Sequence, residues 1–153
     1  MSWTTTVHPW TYDFDYLGHL TAAVYPKAFE QARMEYLRNR WQTRAPAYVV
    51  ASHRMEYLRE ILEEDGPLQV VIRPVRVGRS SFDLTELLLD AAGTVRNRSE
   101  ATLVAWDVEA RRSRPLTASE RAALDGDIEH ASPDRLQGPT SADKQESETH
   151  DGC

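Results

Sequence analysis

The clearest apolar pattern lies between Tyr25 and Trp41, where Tyr25, Ala28, Phe29, Ala32, Tyr36 and Leu37 recur at helical spacing and Lys27, Glu30, Gln31, Arg38 and Asn39 fall largely on the other side. This spacing predicts one long amphipathic helix. Thr21 suits its N-cap, and Pro26 suits the first helical position, which makes residues 22–25 a separate turn whose Ala22 and Ala23 amides stay available. Upstream, residues 3–14 alternate as a strand, with Pro9 marking an edge or a bulge. Downstream, four strands near 47–58, 67–77, 80–90 and 94–108 are separated by DG, VGRS and AG turn signals, and Pro74 marks a bulge. A helix followed by antiparallel strands is an α+β arrangement, and the apolar stripe of the helix has only the sheet to cover it.

The hexapeptide RMEYLR occurs at 33–38 and again at 54–59. Propensity favours a helix for both copies. The second nevertheless falls in the predicted strand 47–58, where cross-strand packing is expected to override propensity. Flanking residues do not match, so the repeat is coincidence rather than duplication. From Ala131 onward the chain is polar, with Leu136 as its one large apolar residue. A domain over 1–126 is therefore expected, followed by a disordered tail over 127–153.

At 153 residues and 41% hydrophobic the chain is long enough to bury a core, and its net charge of −6 argues against a nonspecific nucleic-acid binder. The first ten residues lack a basic and apolar leader, and no stretch approaches the roughly 18 apolar residues of a membrane span, so a cytoplasmic protein is expected. A single cysteine, Cys153, leaves no intrachain disulfide. His8, His53, His130 and His150 lie in separate segments without metal-ligand spacing, so no metal is expected.

Candidate chemistry concentrates in YDFDYLGHLTAAVY, residues 12–25. Asp13 and Asp15 precede Gly18, which permits a tight reversal, and His19 follows just ahead of a helix start. The first amides of a helix lack intrahelical acceptors and sit at the positive end of its dipole, so they can hold a developing oxyanion. A carboxylate beside them can attack a polarised carbonyl or activate water against it. The same pattern also fits a plain Asx-type turn with His19 as a hydrogen-bonded packing residue.

The run D-x-D-x-x-G-H-x-x-x-x-x-Y, here Asp13, Asp15, Gly18, His19 and Tyr25, continues into Phe29, Glu30, Ala32, Arg33, Glu35 and Leu37 and resembles the hotdog-fold thioesterases of the 4-hydroxybenzoyl-CoA and acyl-CoA group. Segments 56–70, 77–84 and 114–124 extend the likeness over roughly residues 5–125. It implies a long central helix wrapped by a curved five-stranded antiparallel sheet, a homodimer or homotetramer with its site at the subunit junction, and no cofactor. Asp15 takes the place of the family's nucleophile or general base; desolvation beside Tyr12, Phe14 and Leu17 is expected to oppose its ionisation and the helix N-terminus to favour it. His19 assists, the Ala22 and Ala23 amides receive the carbonyl oxygen, and Tyr25 lines the substrate pocket.

Glu30 ranks second as an acid, although with Arg33 at i,i+3 it also fits a surface ion pair. The segment around Arg79, Ser80 and Ser81 is similar to the one that approaches coenzyme A phosphates, and Arg111, Arg112 and Arg114 compete for that role. The implied activity is hydrolysis of an acyl-CoA or acyl carrier protein thioester. Thr21, Ala22 and Leu17 stand where relatives carry asparagines, which keeps open a noncatalytic acyl-thioester-binding or dimerisation module. A hydratase on this fold usually needs an H-F-P type loop, and the chain has none.

Overall fold

A computed structural model of the chain describes residues 2–130. The strands are β1 (Trp3–Val7), β2 (Tyr48–Tyr57), β3 (Leu68–Val77), β4 (Ser81–Leu89), β5 (Val95–Asp107) and the short β6 (Arg112–Ser113); the helices are α1 (Val24–Arg40) and α2 (Ala118–Glu129). All strand pairings are antiparallel, in the order β1-β3-β4-β5-β2 with β6 beside β5. Alternation along β4 and β5 puts Phe82, Leu84, Leu88, Ala101, Leu103 and Ala105 on the face that packs with Phe29, Ala32, Tyr36 and Leu37 of α1. Each large side chain enclosed there contributes about 1.5–3 kcal/mol, which is what holds α1 on the sheet. Residues Lys27, Glu30, Gln31, Arg38 and Asn39 face outward, as their spacing predicts.

The second RMEYLR copy is extended over Arg54 to Tyr57, which pair with Glu100 to Asn97 at the end of a long ladder, and its Leu58 and Arg59 lie just beyond the strand. Pro74 sits beside a register shift in β3. Other expectations need correction. The strand predicted over 3–14 stops at Val7, and Thr11–Asp13 form a 3₁₀ turn instead. Thr21 is not the N-cap: α1 begins at Val24 after Ala23, and the Thr21 carbonyl accepts from the Val24 amide at 2.9 Å. Pro26 lies within the first helical turn, where a missing N–H leaves no acceptor unmet.

The sheet has six strands rather than five, and a second helix accompanies α1, which lies across one face rather than running enclosed through the centre. Helix α2 is capped by Thr117 with Glu120, and Asp127 ties it to α1 by accepting from Tyr36 Oη at 2.8 Å and Arg40 Nε at 2.6 Å. It runs past the boundary expected at 126, and residues 131–153 of the expected tail lie outside the described residues.

Two features of the sheet bear on function. β2 pairs only with β5, so among the described residues its outer edge is open. Tyr48 pairs with Ala105 and Ser81 with Val104, whereas Tyr57 and Leu88 both pair with Asn97. The β3–β4 hairpin therefore lies at the Tyr48 end of the sheet, about 30 Å along β2 from Tyr57.

Candidate active site

The chain from Trp10 to Ala23 is shaped by its own backbone. Asp13 closes the 3₁₀ turn by accepting from the Trp10 amide at 2.7 Å, and its carbonyl accepts from the Thr21 amide at 2.8 Å. Gly18, at φ 78°, makes the reversal between Asp15 and His19 possible. Across that reversal the Asp15 amide donates to the His19 carbonyl at 2.8 Å, and Asp15 Oδ1 accepts from the amides of Leu17 at 2.9 Å and His19 at 3.0 Å. One carboxylate oxygen thus locks the loop. The other, Oδ2, accepts no hydrogen bond among the described residues.

His19 is fixed from the far side by the segment after β2. Its backbone bridges Leu62, the following Leu20 amide donates to the Ile61 carbonyl at 2.8 Å, and its Nε2 meets Glu60 Oε2 at 2.7 Å. Beyond it, neither the Ala22 nor the Ala23 amide donates a hydrogen bond among the described residues. These amides precede the first turn of α1, whose dipole favours negative charge beside them. Tyr57 Oη donates to the Ala22 carbonyl at 3.3 Å, and its ring meets that of Tyr25 edge-on at 4.8 Å. Burial and the neighbouring Tyr57 push the Tyr25 pKa up, so its phenol stays protonated. His19, Ala22, Tyr25, Tyr57 and Glu60 border an open cleft of about 280 Å³.

Predicted residues are thus partly assembled. His19, Ala22 and Tyr25 line the cleft; Ala23 follows in the chain, and Asp15 is joined to the cleft residues only through the His19 amide that it accepts from. Of the apolar cover expected around Asp15, Tyr12 and Leu17 are 93% and 59% exposed while Phe14 is partly buried against the core, and Asp15 itself is exposed, as is Tyr16 at 94%. Arg79, Ser80 and Ser81 are not with them, being at the opposite end of the sheet. There Arg76 binds Asp83 and reaches Ser81 Oγ at 3.3 Å, and the Ser80 and Arg79 carbonyls accept from Ala105 and Leu116. Of the competing cluster, Arg114 is held by Glu120 at 2.8 and 2.9 Å.

Glu30 is exposed, and Arg33 does not pair with it. Arg33 is buried and donates to Glu86 on β4 through Nε at 2.5 Å and Nη2 at 2.9 Å, while Ser99 Oγ donates to the same carboxylate at 2.7 Å. His53 Nε2 lies 2.8 Å from Arg33 Nη2 and 2.6 Å from Ser99 Oγ. Burial, and then the Arg33 charge, lower the His53 pKa against the opposing pull of Glu86. Sequence reading missed this cluster, as it missed Tyr57 and Glu60 at the cleft. The one available signal was the inward alternation of His53, Met55 and Tyr57. Among the described residues no three His, Cys, Asp or Glu side chains are grouped to hold a metal, and no helix is long and apolar enough to cross a membrane.

The family model of the thioesterase-like superfamily matches residues 9–125, spanning the Asp15 loop, α1 and the sheet. The chain belongs to this superfamily. Among solved structures, a thioesterase from Thermus thermophilus complexed with coenzyme A and zinc is 28% identical, with a TM-score of 0.72 over 84% of this chain and 95% of that one. A predicted thioesterase from Bacillus stearothermophilus shares 20% identity, TM-score 0.75, over 84% and 97%. A 1,4-dihydroxy-2-naphthoyl-CoA thioesterase from Synechocystis shares 14% identity, TM-score 0.72, over 86% and 100%. The curled antiparallel sheet with a helix across it is the hotdog arrangement of these thioesterase-like neighbours. No curated protein matches the chain.

Proposed function

We propose that this member of the thioesterase-like superfamily hydrolyses an acyl thioester, of coenzyme A or of acyl carrier protein, as a homodimer or homotetramer. The observation that carries the reading is an Asp15 oxygen left without a partner on the loop that this carboxylate fastens to His19, a residue of the cleft, together with the unpartnered amides of Ala22, also of the cleft, and of Ala23 next to it in the chain. The thioester carbonyl oxygen rests on those amides, and Asp15 attacks the carbonyl carbon or takes a proton from the water that does. The C–S bond then breaks and the thiolate leaves: where Asp15 has attacked, water next hydrolyses the acyl–Asp15 anhydride to free acid and Asp15; where water has attacked, the acid forms directly and the proton taken by Asp15 passes to the thiolate. His19, steadied by Glu60, holds the loop and the attacking group in line, and Tyr25 lines the approach. Coenzyme A in the Thermus thermophilus relative supports the CoA form of the substrate.

Assembly through the open edge of β2 accounts for what one chain lacks. Two copies joined antiparallel along this edge bring the Tyr48 end of one sheet to the Tyr57 end of the other. Arg79, Ser80 and Ser81 of the partner then approach the Asp15 cleft and supply the cation and hydroxyls for coenzyme A phosphates. The same contact covers Tyr12, Tyr16 and Leu17. The test is thiol release from short, long and aromatic acyl-CoAs at protein concentrations that span dimer dissociation, for the native chain and Arg79→Ala. The expected result is turnover that rises with the dimer fraction and a higher KM for Arg79→Ala. Binding of acyl-CoA without thiol release from any of them would instead leave a noncatalytic binding module.

A further inference from the structure

Asn97 on β5 is fully buried, and neither its side-chain oxygen nor its side-chain nitrogen has a hydrogen-bond partner. Buried polar groups are nearly always paired, and an unpaired one costs about 1–3 kcal/mol. Strand register places the residue. Asn97 stands directly opposite Tyr57 on β2 and Leu88 on β4, so all three project from the same face of the sheet. Next along that face on β5 is Ser99, whose hydroxyl is committed to Glu86 and His53, and Glu86 is in turn held by Arg33. Asn97 therefore has no stabilising role that the hydrogen bonds of the described residues display.

It does lie one strand inward from the wall of the cleft. That wall is Tyr57, 51% exposed, on an edge strand, its hydroxyl held only by the 3.3 Å bond to the Ala22 carbonyl. Neighbouring strands are roughly 4.8 Å apart, so a group a few bonds beyond a thioester in the cleft reaches Asn97 once the Tyr57 ring turns aside. The carboxamide offers a donor and an acceptor together, the complement of a hydroxyl or an oxo group. An all-hydrocarbon chain leaves both unmet.

We propose that Asn97 is a specificity-determining residue, reached past Tyr57, that selects acyl groups bearing an oxygen substituent a few bonds from the thioester carbon. This rests on the thioesterase reading. The experiment compares kcat/KM for matched acyl-CoA pairs, with and without a hydroxyl at successive chain positions, in the native protein, Asn97→Leu and Asn97→Ser, together with thermal melting of each. In the native protein the hydroxylated member is favoured by at least about tenfold at one position, because a buried polar site rejects the analogue that leaves it unpaired. Asn97→Leu removes that preference, mainly by improving the plain chain, and melts no lower than native because an unpaired buried amide is gone. Asn97→Ser, which keeps a hydroxyl, retains part of the preference and decides the matter if the leucine variant does not fold.

Equal ratios in native and variant proteins would overturn the inference. So would a lower melting temperature for Asn97→Leu with its preference intact, which would mark the amide as structural. Thiol release without any discrimination sinks this inference alone, whereas no release from any acyl-CoA sinks the thioesterase reading and this inference with it.

Discussion

Asp15 with His19, and Glu86 with His53, each set a carboxylate near an imidazole-bearing residue, in two different settings. Glu86 is completely enclosed, and its two oxygens are taken by Arg33 and Ser99. Asp15 is exposed, spends one oxygen on the amides of its own loop and keeps the other open. His53 faces an arginine and is held neutral, whereas His19 faces Glu60 with 39% of its side chain exposed. Acid and imidazole alone therefore do not identify a reactive site. What separates the two is whether each carboxylate oxygen is already engaged: the enclosed cluster fastens α1 to β2, β4 and β5, and the open one leaves an oxygen without a partner.

This contrast can be broken at either end. The largest effect is expected from Arg33→Met, which strands the Glu86 carboxylate in the core; losing one partner of a buried pair costs about 3–5 kcal/mol, read as a lower midpoint in urea unfolding. Turnover per folded molecule should hold. Unchanged stability would mean that the cluster does not fasten the helix.

A smaller effect comes from pH. The folded-state pKa of His53 lies below its ordinary 6.5, so protonation favours the unfolded chain. Its contribution is fully present above about pH 6.5 and is lost as pH falls from there through the folded pKa. His53→Gln should flatten the fall in melting temperature on that acid side, and an undiminished slope would assign it to other groups. Smallest is Glu60→Gln at the cleft. Exposed pairs contribute about 0–1 kcal/mol, so melting should barely move while thiol release slows severalfold as His19 loses its anchor. A large loss of stability there would erase the contrast.

The elements were legible in the sequence where period and turn chemistry agreed. Helical spacing over Tyr25–Trp41 and the DG, VGRS and AG turns located α1 and the four long strands to within a residue or so at most ends. Pro9 suits a bulge but lies beyond the end of its strand, because the chain there leaves the sheet for the 3₁₀ turn. Thr21 has the chemistry of an N-cap, yet its backbone is already engaged with Asp13 and Val24. For the site, the motif brought His19, Ala22 and Tyr25 to one cleft. Tyr57, Glu60 and Glu86 were not legible, since each meets its partner through strand register or a loop return across tens of residues. Arg79 carried a local signal, but no local pattern says at which end of the sheet its hairpin lies.

The most direct test of the account is the rate of free-thiol release from acyl-CoA by native protein and Asp15→Asn, each checked for the same melting temperature. Asparagine keeps an oxygen for the Leu17 and His19 amides, so the loop stays closed while the charge is lost. The account predicts a drop of at least about a hundredfold, the scale of a positioned acid–base group, with melting unchanged. Native-like thiol release from Asp15→Asn would contradict it and move the chemistry away from this loop.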